Sequence, residues 1–95
     1  MSSSFREAVI SVVSSLSPGE VVSYGEVAAQ AGRPGAGRAV GRILAEVESP
    51  LPWWRVVGHD GRLRSPSIHR QAERLASEGV IVSAGRVRSI SPSGH

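Results

Sequence analysis

Apolar residues near the start of the chain recur at helical spacing: Phe5, Ala8, Val9, Val12, Val13 and Leu16 share one face. Ser4 followed by Glu7 has the spacing of a capping box ahead of that face, and Ser17-Pro18-Gly19 ends it. Glu20-Val21-Val22 then reads as a short extended piece. A second capping-box spacing, Ser23 to Glu26, opens a short helix running to about Gly32, and Arg33-Pro34-Gly35 breaks it. Ala36, Ala39, Val40, Ile43, Leu44 and Val47 follow in the i, i+3, i+4, i+7, i+8, i+11 series of a third amphipathic helix.

Beyond Pro50-Leu51-Pro52-Trp53-Trp54 the period shortens. Arg55 to Arg64 reads as a hairpin turning at Asp60-Gly61. Ser65-Pro66-Ser67 starts a fourth helix that should carry Ile68, Ala72, Leu75 and Ala76 inward and end at Gly79. Val80-Ile81-Val82 and Arg86-Val87-Arg88 flank Ala84-Gly85 as a small β-hairpin. Two short helices joined by a Gly/Pro turn and followed by a β wing predict a mainly α chain with small β elements. The expected architecture is a winged helix-turn-helix-like single domain over residues 1–95, with its core at about 5–88 and a loose tail at 91–95.

Composition narrows the chemistry. Ninety-five residues suit one domain, and 40% hydrophobic residues suit a globular one. No stretch approaches the ~18 apolar residues of a membrane span. Met1-Ser2-Ser3-Ser4 lacks the basic and apolar regions of a signal peptide, so a cytoplasmic, nucleoid-associated protein is expected. All eleven basic residues are Arg, and the net charge of +3 with pI ≈ 11.0 favours a polyanionic partner. Charge alone fits an Arg-rich surface equally well. Without Lys there is no side-chain amine for a Schiff base. Without Cys there is no disulfide, thiolate metal site or thiol nucleophile. His59, His69 and His95 have no metal-ligand spacing, and the carboxylates are scattered, so neither a metal nor a cofactor is expected.

Three features carry candidate chemistry. With its apolar series turned inward, the third helix presents Arg38, Gly41, Arg42 and Ala45 on the opposite face. Gly37 and Gly41 each cost a helix roughly 1 kcal/mol against Ala, a cost that close approach of another backbone can explain. Arg between small residues suits a DNA groove, and packing of the glycines against a neighbouring helix is the competing explanation. Trp53 and Trp54 are two of the four aromatic residues. In an extended segment they point to opposite sides, one to the core and one to a pocket that could take a flipped base; both could also simply pack. Tyr24, just after a predicted N-cap, is either a half-buried packing ring or a phosphate contact.

Together these segments resemble the DNA-binding domain of the O6-alkylguanine-DNA alkyltransferases. The resemblance runs through Val21-Val22-Ser23-Tyr24-Gly25-Glu26-Val27-Ala28, Gly32-Arg33-Pro34 and Ala36-Gly37-Arg38-Ala39-Val40-Gly41. It continues through Pro52-Trp53-Trp54-Arg55-Val56-Val57, Gly61 and Glu78-Gly79-Val80, covering roughly Phe5 to Arg88. In that family the segment before Arg-Val reads Pro-Cys-His-Arg, and the Cys accepts the alkyl group. Here Trp53 and Trp54 stand at the Cys and His positions, and Glu46-Val47-Glu48-Ser49 lacks the family's Asn. The chain therefore looks like the alkyltransferase-like proteins, in which Trp replaces the reactive Cys.

That resemblance implies a non-catalytic protein that binds O6-alkylguanine in duplex DNA through the minor groove and flips the base. Arg38 would be the finger that fills the vacated stack, Tyr24 would help rotate the phosphate, and Trp53 would line the lesion pocket. Ser23, Gly37, Gly41 and Arg42 would lie at the same interface. The segment Gly61-Arg62-Leu63-Arg64-Ser65-Pro66-Ser67 looks shorter than in relatives, which place an Arg there against the base. Arg64 is the first candidate for that Arg and Arg62 the second. The family further implies hand-over to nucleotide excision repair proteins and binding as a monomer. The competing reading is a winged-helix regulator that recognises a defined operator, which two glycines at base-reading helix positions argue against.

Overall fold

A computed structural model describes residues 4–48 and 50–89. It contains α1 (Phe5–Ser14), β1 (Val22–Ser23), α2 (Tyr24–Gln30) and α3 (Gly37–Glu46). A 3₁₀ turn (Trp53–Arg55), β2 (Val56–Val57), α4 (Ile68–Ser77), β3 (Ile81–Ser83) and β4 (Arg86–Ser89) follow. The predicted tail at 91–95 lies outside the described residues.

Local signals place most of these boundaries. The Ser4 hydroxyl accepts from the Glu7 N–H at 3.1 Å and starts α1. At α2 the capping box closes both ways: Ser23 Oγ accepts from the Glu26 N–H, and Glu26 Oε1 accepts from the Ser23 N–H at 2.7 Å. Ala84 and Gly85 both take positive φ, 54° and 73°, which is the two-residue turn that β3 and β4 require.

The helices and strands enclose two apolar clusters. Val9, Val13, Leu16, Val27, Ala28, Val40, Leu51 and Val56 fill the space between α1, α2 and α3. Val21, Val57, Leu63, Leu75, Val80 and Val87 form a second cluster under α4 and the β3–β4 hairpin. Between them, β1 and β2 pair in parallel, Val22 with Val56 and Ser23 with Val57. Successive strand residues face opposite ways, so Val56 enters the first cluster while Val57 enters the second. Two residues per strand are enough to join the clusters.

Three expectations are corrected. The segment Arg55 to Arg64 is not a hairpin: its first part pairs with β1, while Arg62 bridges to Arg86 and the Leu63 N–H donates to the Gly85 carbonyl. Trp53 and Trp54 lie in a 3₁₀ turn and not in an extended strand, because Pro52 and Arg55 close it with a backbone hydrogen bond of 3.1 Å. On α4, Ile68 (44% exposed) and Ala76 face outward, and the inward positions are Gln71, Ala72 and Leu75. Gln71 is fully buried because its Nε2 donates to the carbonyls of Trp54 (3.2 Å) and Val56 (3.0 Å), tying α4 to the tryptophan turn.

A polar hub fixes the same turn from the other side. Glu78 Oε2 accepts from Trp54 Nε1 at 2.8 Å and from Arg55 at 2.6 Å, and Oε1 accepts from the Gly19 N–H at 2.8 Å. Arg55, 8% exposed, also donates to the Leu16 carbonyl at 2.9 Å. Hydrogen bonds from Arg55, Gly19 and Trp54 hold the Glu78 carboxyl down at about 2. The ends of α1 and α4 are thus joined through one carboxylate.

Candidate nucleic-acid interface

A single cavity of about 830 Å³ gathers most of the sequence candidates. Tyr24 enters it from the first residue of α2, Arg38 from the first turn of α3, Trp53 from the 3₁₀ turn and Arg64 from the loop before α4. Gly37 and Gly41 line it from α3. Arg62 does not, because Asp60 holds it in the preceding turn, with Arg62 Nε donating to Oδ2 at 3.1 Å. Between the two candidates for the loop arginine, only Arg64 reaches the cavity. Arg42 is exposed on α3 outside the lining, and Ser23 is occupied in the α2 capping box.

The glycines on α3 face a neighbour and not open solvent. A β-carbon built on Gly37 would lie 3.5 Å from the Gly25 nitrogen and from Tyr24 Cβ; one on Gly41 would lie 3.7 Å from the Tyr24 ring. Their smallness lets α3 lie against the start of α2 and leaves room for the Tyr24 ring beside the cavity. At Gly41 the spacing is ordinary van der Waals contact, so an alanine fits. Gly41→Ala should therefore gain helix propensity of up to about 1 kcal/mol and raise the melting temperature by roughly 4–8 °C. A melt that falls instead would show that the close approach at Gly41 is required by the fold itself.

Tryptophan pairing shapes the apolar part. Trp53 and Trp54 meet edge to face, with centroids 5.9 Å apart and planes at 87°. Trp54 is fixed by Glu78 and carries the guanidinium groups of Arg74 and Arg55 at 4.6 and 5.2 Å from its ring. Trp53 packs against that anchored ring and is left half-buried at the cavity wall. Leu44 and Val47 of the third-helix series extend the same apolar surface.

The electrostatics are one-sided. Three arginines (Arg38, Arg64 and Arg70) and His59 line the cavity, and no Asp or Glu does so among the described residues. Burial raises the Tyr24 phenol above its ordinary value, and the Arg64 charge partly opposes that rise. The first turn of α3 holds no acidic residue, and its N-cap, Ala36, supplies no side-chain acceptor. Helix N–H groups and the positive end of the helix dipole therefore sit beside Arg38, where a phosphate would be favoured. No group of three or more potential metal ligands occurs among the described residues.

Sequence reasoning missed Arg70, which enters the cavity from the first turn of α4. No local pattern marks it, because its relevance depends on how α4 docks beside the tryptophan turn.

The DNA-binding domain of 6-O-methylguanine DNA methyltransferase matches residues 4–80. The "DNA base-flipping protein" of Escherichia coli is 43% identical over 84 residues, spanning 84% of this chain. The chain spans only 65% of that relative's length. The "DNA base-flipping protein" of Vibrio parahaemolyticus is 37% identical and matches 83% of each chain. In structure, S. pombe Atl1 bound to damaged DNA containing O6-carboxymethylguanine superposes with a TM-score of 0.76 and 33% identity. That match covers 83% of this chain and 79% of Atl1. The chain belongs to the family of the 6-O-methylguanine DNA methyltransferase DNA-binding domain.

Proposed function

We propose that this protein binds duplex DNA, rotates an O6-alkylated guanine out of the stack and holds it in the cavity without removing the alkyl group. The observation that carries the proposal is the convergence of Tyr24, Arg38, Trp53 and Arg64 on one cavity beside the start of α3. Its volume falls in the range of about 300–1,000 Å³ that small-molecule sites occupy, enough for a nucleobase and its substituent. Its wall carries an indole where, by the resemblance, alkyltransferases carry their acceptor thiol, and the sequence contains no Cys.

The energetics suit a sensor. Extruding a base costs a few kcal/mol, and less where pairing is already weakened, as it is between O6-alkylguanine and cytosine. Arg38 fills the gap left in the stack, while Tyr24 contacts the rotated phosphate. Trp53 gains contact with the added alkyl group, about 0.8 kcal/mol for each buried CH₂. Arg64 lies over the base, and contacts from Arg to phosphate add affinity that is blind to sequence and falls with salt. In this reading the protein acts as a monomer associated with the nucleoid, marks the lesion for nucleotide excision repair and shields it from alkyltransferases. No helix among the described residues is long and apolar enough to cross a membrane.

Paired duplexes, identical except for one O6-methylguanine in place of guanine, test the proposal by titration at fixed salt, followed by mass spectrometry of the recovered DNA. The expected result is tighter binding to the alkylated duplex with its base and alkyl group intact. Equal affinity for both would point to the operator-reading alternative. Released base or a cleaved strand would make the protein an enzyme.

A further inference from the structure

Gly58 is buried between β2 and the Asp60-Gly61 turn. Its φ lies outside the left-handed region, so its backbone conformation does not call for glycine. Space does. A β-carbon built there would stand 2.7 Å from Nε and 3.2 Å from Cδ of Arg64, and 3.2 Å from Oδ1 of Asp60. Real β-carbons essentially never come within 3.0 Å of another heavy atom. The Arg64 side chain therefore lies across Gly58, in the notch that an absent side chain leaves.

That backbone is held at both ends. The Gly58 N–H donates to the Arg62 carbonyl at 2.8 Å, and its own carbonyl accepts from the Gly61 N–H at 2.9 Å. The direction of any side chain at position 58 is thus set, and the yielding partner is the flexible end of Arg64. Asp60 is less free to give, because its other oxygen holds Arg62 at 3.1 Å and Arg86 at 3.6 Å. The route of Arg64 is also short. The Leu63 N–H is tied to the Gly85 carbonyl, and α4 begins at Ile68. Little chain remains between these anchors to bring a guanidinium over the cavity by another path.

We propose that Gly58 is a positioning residue that seats the Arg64 guanidinium against the cavity, and that any side chain at position 58 ejects it. The seat rests on the lesion-binding reading only for its consequence in DNA recognition; the placement of Arg64 can be tested without DNA. Tyr24 is the only tyrosine, so its phenolate absorbance reports one group. The ionisable groups that share its cavity are Arg38, His59, Arg64 and Arg70. Moving Arg64 away removes a positive charge that favours the phenolate, so the Tyr24 titration shifts to higher pH.

The experiment compares wild type, Gly58→Ala, Arg64→Ala and the double variant, with thermal melts as the check on folding. Gly58→Ala should shift the tyrosine titration upward as far as Arg64→Ala does. It should also reduce the preference for O6-methylguanine over guanine by about twofold to 150-fold, the range typical of coupling between contacting residues. In the Arg64→Ala background it should change neither quantity. A wild-type titration curve in Gly58→Ala, or an undiminished loss of preference when Arg64 is already absent, overturns the seat. If wild type shows no lesion preference while the titration shifts as expected, the seat stands and the lesion-binding reading fails.

Discussion

Replacing Glu78 with glutamine should lower the unfolding free energy by about 2–4 kcal/mol, because it leaves the buried Arg55 guanidinium without its counter-charge. In a domain of this size that corresponds to roughly 8–30 °C in melting temperature. The carboxylate accepts from Trp54, Arg55 and Gly19, so one substitution weakens the junction of α1, the tryptophan turn and α4. The pH dependence separates this account from a simple packing loss. Glu78 titrates at about 2 in the folded protein against 4.5 ordinarily. Its depressed value means that the stabilisation is fully present above pH 4.5 and is lost as pH falls from there toward 2. That part amounts to about 2 kcal/mol after allowance for solvent near the surface. Melts across this window should decline steeply for wild type and far less for Glu78→Gln. Parallel declines would show that the hub does not contribute through its charge.

Arg38→Ala should have the largest effect on binding with the least effect on the fold, since Arg38 is exposed in the first turn of α3. If its side chain only touches a phosphate, affinity should fall equally on plain and alkylated duplexes, and the salt slope should drop by about 1. If it fills the stack behind an extruded base, it compensates a penalty of a few kcal/mol that arises only when the base leaves. Affinity for the alkylated duplex should then fall by about tenfold to a hundredfold, and affinity for the plain duplex much less. Titrations of both duplexes at two salt concentrations distinguish these cases, and an equal loss on both would remove Arg38 from the flipping step.

Much of this architecture was legible because it is local. Ser4 and Ser23 announce helix starts by hydrogen bonds that span three residues. Ala84-Gly85 announces a tight hairpin by its need for positive φ. The site followed less directly. Tyr24, Arg38 and Trp53 were placed by the resemblance, and the choice between Arg64 and Arg62 waited on Asp60, whose grip on Arg62 no spacing reveals. What stayed hidden depends on contacts between distant segments. The parallel pairing of Val22 with Val56 involves strands of two residues, too short to show a period. Gln71 reads as a polar surface residue until its amide is seen between the Trp54 and Val56 carbonyls. For Gly37 and Gly41 the sequence leaves both a groove contact and packing against a neighbouring helix open, because nothing in the helix itself shows that the Tyr24 ring lies beside them.

The most direct test of a flipped base in this cavity uses the absence of cysteine from the sequence. Ser65 lines the cavity, and Ser65→Cys introduces a single thiol of nearly the same shape. A duplex whose guanine carries an O6-alkyl chain ending in an activated disulfide cross-links to that thiol faster than to a freely exposed one when the alkyl group enters the cavity. We expect rapid cross-linking at Ser65→Cys that is suppressed by adding Arg38→Ala, and little at Ile81→Cys, a site 59% exposed on the β-hairpin outside the cavity lining. Cross-linking no faster at position 65 than at position 81 would contradict the account, because the alkylated base would then not be in the cavity.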